Sequence, residues 1–129
     1  MLTGGEDQGD QAVPLRTAYD RRDDAVVVHV SGEVDSATAP ELRVQLIAAF
    51  ADAAAGEVPV VVDLTGVRFF ASIGLSLLVE YHQLGIRQGT PLRVVTPARS
   101  MVRALRATTL DQLLELYAEL PEALAGNSS

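Results

Sequence analysis

The chain has 129 residues with ten cationic side chains, all arginine, against seventeen Asp plus Glu, a formal net charge of -7, and no cysteine. That length holds one sizeable core, and an acidic balance with arginines scattered from Arg16 to Arg106 disfavours a polyanion, so nucleic acid is excluded as a partner. Lack of cysteine removes disulfides, thiolate chemistry and cysteine-type zinc sites, and no apolar run approaches the ~20 residues that span a bilayer, so the expectation is a cytoplasmic protein with no membrane partner.

The polar, glycine-rich residues 1–12 and the closing residues 125–129 read as flexible tails around one domain over 13–124. Val13 to Tyr19 and Ala25 to Val30 suggest two strands joined by the polar turn Arg21–Asp24, and so short a connection makes them antiparallel. In GEVDSATAPELRVQLIAAFADAAAG the period changes to helical. Thr38 and Glu41 have capping-box spacing, Pro40 suits a first turn, Leu42, Leu46, Phe50 and Ala54 with Ile47 make the apolar stripe, and Gly56 offers a stop.

VPVVVDL reads as a buried strand, ending near Asp63 and parallel to one already in the sheet because a helix precedes it. A second helix runs from Ser72 to about Leu84, where GIRQGTP ends it, with Leu77, Leu78 and Tyr81 as packing residues. LRVV is another strand, and Thr96 and Pro97 open a third helix with Ala98, Met101, Val102 and Leu105 inward and Arg99, Arg103 and Arg106 outward. Leu114, Leu116 and Tyr117 suggest a short edge strand, and Pro121 begins a last short helix. The order β-β-α-β-α-β-α-β-α describes a compact α/β domain with a mixed sheet packed by helices.

Enzyme chemistry finds little support. A hydrolytic serine needs a histidine base and an orienting carboxylate, yet His29 lies in a valine strand and His82 lies about 15 Å along the helix that Ser72 begins. ASIGL lacks the glycine of a nucleophile elbow, and no phosphate-cradling glycine loop occurs. Asp63 has no metal-site spacing to Glu33 or Asp35 and reads as a carboxylate bonded to nearby backbone donors. No cofactor and no metal are expected. Ser72 itself has two uses: a helix N-cap worth ~1 kcal/mol, or a place where a phosphate is tolerated by a positive helix end. Phe69 and Phe70 beside it read as core.

Taken together, GEVDSATAPEL, VVVDLTGVRFFASIGLSLL and LRVVTPARSMVRAL resemble the STAS family, specifically its bacterial anti-sigma factor antagonists, over about Val13 to Leu124. The resemblance implies a small β/α domain that binds an anti-sigma factor of the serine-kinase type, releases a sigma factor, and is switched off by phosphorylation and restored by a serine phosphatase; it is a substrate and ligand, not an enzyme. The family's phosphoacceptor falls on Ser72 and its loop carboxylate on Asp35, preceded by Gly32 and Glu33, while Asp63, Thr65 and Gly66 keep the D-L-[ST]-G-V block. The best-known form has an aspartate before the phosphoacceptor and a serine or alanine after it; here these are Ala71 and Ile73. The expected docking face therefore combines Gly32, Glu33, Asp35 and Ser36 with Ala71, Ile73, Gly74 and Leu75. Alternatives are a STAS scaffold that is never phosphorylated and a subunit of a larger signalling or transport assembly.

Overall fold

The computed structural model describes residues 14–96, 103, 105–107 and 113–126. Their elements are β1 (Arg16–Arg21), β2 (Val26–Val34), α1 (Ala39–Gly56), β3 (Val60–Phe70), α2 (Ser72–Gln88), β4 (Leu92–Val95), β5 (Glu115–Tyr117) and α3 (Leu120–Ala125). The strands lie side by side in the order β1-β2-β3-β4-β5. β1 and β2 are antiparallel because a tight turn joins them, closed by the Arg22 N–H donating to the Ala25 carbonyl at 2.8 Å. Every later pair is parallel, as crossover connections require. The third helix expected after Thr96 falls mostly outside the described residues; Arg103 and residues 105–107 are helical, with Leu105 buried and both Arg103 and Arg106 exposed.

Alternation along the strands builds two apolar layers. Val26, Val28, Val30, Val60, Val62 and Leu64 face α1 and α2, where Leu42, Leu46, Phe50, Leu77 and Leu78 complete the main core. Val27, Val61 and Val95 face the other way and meet Tyr117 and Ala123 under α3. The β-branched runs are thus buried on both faces near the N-terminal halves of β2 and β3, as in strands flanked by helices.

Several boundaries differ from the sequence reading, each for a tertiary reason. β3 does not end near Asp63 but continues to Phe70, because its pairing with β2 resumes after register shifts. Gly66 lets the two strands approach there, since a Cβ on it would lie 2.7 Å from the Ser31 Cβ. The inner stripe of α1 is Leu42, Leu46, Ala49, Phe50 and Ala53; Ala54 is exposed and Ile47 is 55% exposed, a phase set by the sheet beneath. Gly56 is the last helical residue, and Glu57 takes the left-handed capping conformation at φ 57°. α2 passes through Gly85 to Gln88 and is capped by Gly89 at φ 75°. Gly85 is buried there because the chain folds back so tightly that Thr90 donates its N–H to the Gly85 carbonyl at 2.8 Å.

β1 is tied to α1 through side chains. The Tyr19 hydroxyl donates to Asp52, and Arg21 holds the same carboxylate at 2.7 Å. Burial and the neighbouring Asp52 carboxylate push the Tyr19 phenol up to about 12. A group whose folded pKa is raised contributes stability that is fully present below its unfolded value of roughly 10 and is lost as pH rises toward the folded one. Phenolate absorbance should therefore show one tyrosine titrating near 12, with stability declining above roughly pH 10. The Asp52→Asn variant should return that titration toward the ordinary tyrosine value and flatten the decline.

Candidate functional site

The candidate site is assembled from the adjoining ends of β2 and β3. Glu33 stands beside Phe69 and Val34 beside Phe70, and the Ala71 N–H donates to the Val34 carbonyl at 2.8 Å. This pairing brings the segment Gly32–Ser36 against the segment Ala71–Leu75, which are far apart in sequence. Gly32 is buried and takes φ 88° at the register shift next to Glu33, a backbone conformation that glycine adopts without strain.

Asp35 organises its loop. Its Oδ1 accepts from the Ala37 N–H at 2.9 Å and the Thr38 N–H at 3.1 Å. The Thr38 hydroxyl donates to the Glu33 carbonyl and accepts from the Asp35 N–H, each at 3.0 Å. The expected capping box is absent: Thr38 is the N-cap of α1 but makes no side-chain cap bond, because its hydroxyl is spent on the loop behind it, and Glu41 is exposed. Of the two donors that a box would satisfy, the Thr38 N–H goes to the Asp35 carboxylate at 3.1 Å and the Glu41 N–H to the Thr38 carbonyl at 3.0 Å. Glu33 and Asp35 remain half-buried, while Ser36 is exposed.

Ser72 is not an N-cap. Ala71 holds that position with extended backbone, Ser72 is the first helical residue, and no side chain caps α2. The Gly74 N–H donates to the Ala71 carbonyl at 2.9 Å, and the N–H groups of the opening turn point outward at the positive end of the helix. The Ser72 hydroxyl is exposed and bonded to no group of the described residues. Ile73 beside it is 38% exposed, whereas Leu75 is half-buried against the core and Gly74 is buried beneath Phe70, whose ring a Cβ would meet at 2.7 Å.

Phe69 was missed by the sequence reading. It is 54% exposed, while Phe70 packs on the core. The signal was present, because adjacent side chains of a strand point to opposite faces and only one of the two rings can reach the core. Phe69 and Ile73 are the exposed large apolar residues next to Ser72 in sequence.

Neither histidine serves Ser72. His29 pairs across the sheet with Asp63, Nδ1 to Oδ2 at 2.8 Å, and Asp63 precedes Ser72 by most of a strand, roughly 25–30 Å. Burial raises the Asp63 pKa, but the bonds from the Thr65 hydroxyl and N–H and from His29 outweigh it and leave the carboxyl below the usual range. Among the described residues no group of three or more His, Cys, Asp and Glu could hold a metal, and no helix is long and apolar enough to cross a membrane.

Comparison with known proteins gives a consistent result. The family model described as "Mlab, STAS domain" matches residues 17–116. The anti-sigma-F factor antagonist RsfA of Mycobacterium tuberculosis is 26% identical over 86% of each chain. RsfB of the same organism, also an anti-sigma-F factor antagonist, is 30% identical over 78% of this chain and 79% of its own. A crystal structure of an anti-sigma factor antagonist from Mycobacterium paratuberculosis is 33% identical and superposes with a TM-score of 0.72 over 90% of this chain and 96% of that one.

Proposed function

The chain belongs to the STAS domain family and is homologous to its anti-sigma factor antagonists, and from that premise we propose that it binds an anti-sigma factor of the serine-kinase type and is released when that kinase phosphorylates Ser72. The observation that carries the reading is the exposed Ser72 hydroxyl, unused by the fold, at the positive end of α2 and beside the loop ordered by Asp35. A serine in that position is open to a kinase, and a phosphate there gains the helix end while costing the fold no bond.

Phe69 and Ile73, exposed before and after Ser72 in the chain, would supply apolar contact, and Glu33, Asp35 and Ser36 a polar rim. Anchors of this kind carry most of the affinity of an interface. Truncating Phe69 to alanine should weaken binding to the cognate anti-sigma factor by about tenfold or more. Its midpoint of thermal unfolding should stay near that of the parent, because the ring is 54% exposed; calorimetric titration and a melting curve read both outcomes.

Ala71 removes the charge that precedes the phosphoacceptor in the best-known form, and this favours, as a second reading, a STAS scaffold that binds by shape and is never phosphorylated. Incubation with the cognate anti-sigma kinase and ATP, followed by mass spectrometry of the peptide spanning Ser72, separates the two. Phosphate on Ser72 supports the switch; an unmodified protein that still binds the kinase supports the scaffold.

A further inference from the structure

Among the described residues, the sheet face away from α1 and α2 is covered only in part. α3 shields Ala25, Val27, Val61 and Val95. Two residues further along β2 and β3 the same face carries His29 and Asp63, side by side in register. On β1, Ala18 stands opposite His29 and Arg16 opposite Ser31. Here the surface opens into a cavity of about 470 Å³ lined by Arg16, Ala18, His29, Ser31, Asp63 and Gly66, among others. Ala18 and Gly66 bring no long side chain into it, and β2 and β3 shift register between His29 and Ser31.

The polar groups around this cavity are unevenly used. Asp63 spends both carboxylate oxygens, Oδ2 on His29 at 2.8 Å and Oδ1 on the Thr65 N–H at 3.0 Å and the Thr65 hydroxyl. By contrast, the Arg16 guanidinium, the Ser31 hydroxyl and the His29 Nε2 make no hydrogen bond or ion pair with the described residues. The arginines that structure the fold differ in this respect: Arg21, Arg43 and Arg93 are each paired with an acid. The unused capacity is therefore dominated by donors, with a guanidinium fork suited to two oxygens of one group. Its volume lies in the range of small-molecule sites and exceeds what a bare ion fills.

We propose that this cavity binds a small organic oxyanion, its phosphate or carboxylate group held by Arg16 and Ser31 and its body lying over Ala18 and Gly66 toward His29. The site is separate from Ser72 and stands whether or not that serine is phosphorylated. The test follows the Arg16 side-chain Nε–H, the His29 ring and the Ser31 and Gly66 amides by NMR. The full chain is titrated with glycerol 3-phosphate, glycerate and inorganic phosphate at constant ionic strength.

Saturable shifts confined to these groups are expected with one or more of the probes, and the tightest probe identifies the anionic group. Arg16→Gln should weaken that probe by about tenfold, with Arg16→Lys in between, because a point charge replaces the fork. Arg16 is exposed, so both variants should keep the parent spectrum elsewhere. Shifts that fail to saturate with all three probes, or an undiminished response in Arg16→Gln, would overturn the proposal.

Discussion

The Ser72→Glu variant is expected to lose affinity for the cognate anti-sigma factor by a hundredfold or more, while Ser72→Ala binds like the parent and resists the kinase. The magnitude follows from charge. Glu33 and Asp35 already line the adjoining loop, and an interface formed there is partly dry. Covering a new carboxylate beside them with a partner, with no cation to meet it, costs several kcal/mol of desolvation, and roughly 3 kcal/mol is more than a hundredfold in affinity. Phosphoserine, with up to about two charges, should act more strongly than glutamate.

The same pair of variants separates switching from folding. An N-capping serine would cost ~1 kcal/mol when replaced by alanine, but Ser72 lies inside the helix and its hydroxyl bonds to nothing in the described fold. Ser72→Ala should therefore melt with the parent. Equal affinities of Ser72→Glu, Ser72→Ala and the parent for the cognate partner would eliminate the switch.

The largest effect on stability is expected at Gly85. A Cβ there would lie 2.2 Å from the Thr90 carbonyl oxygen and 3.3 Å from the Phe50 ring. The first of these is backbone, so no side-chain rotation relieves it; either α2 moves off the chain entering β4 or the Thr90 N–H bond to Gly85 breaks. Overpacking of this kind costs roughly 3 kcal/mol, a large share of the ~5–15 kcal/mol that holds a domain together. Urea unfolding of Gly85→Ala should show the midpoint lowered accordingly, while Ile86→Ala, at a position 67% exposed, should stay close to the parent. A loss below ~1 kcal/mol at Gly85 would mean the two segments are not so closely packed.

The contrast between these two positions mirrors what could be read from the chain alone. The order of elements, the antiparallel start and the parallel remainder follow from periodicity and connection length, because a two-residue or a 3.6-residue repeat leaves one arrangement that buries its apolar side. Asp35, Asp63 and Ser72 were singled out by the resemblance of their blocks to one family.

Gly85 was read as a helix end because a glycine in a helical pattern is locally a breaker; only the return of Thr90 against it makes it an interior residue. Thr38 and Glu41 had the spacing of a capping box, but the Thr38 hydroxyl is spent on the Glu33 carbonyl and the Asp35 N–H, and the Asp35 carboxylate already takes the Thr38 N–H. Ser72 was one residue too far into its helix to cap it, a distinction set by how far β3 stays paired with β2. The adjacent rings of Phe69 and Phe70 were indistinguishable by composition and were separated by which face of the strand the core lay on.

Sequence alone thus determined the elements, their order and the residues that carry chemical groups, because those depend on local repeats and side-chain type. Tertiary structure decided which of these groups are spent on the fold and which are left facing outward. A hydrogen bond or a close approach between residues distant along the chain is set only when the strands have been placed in register.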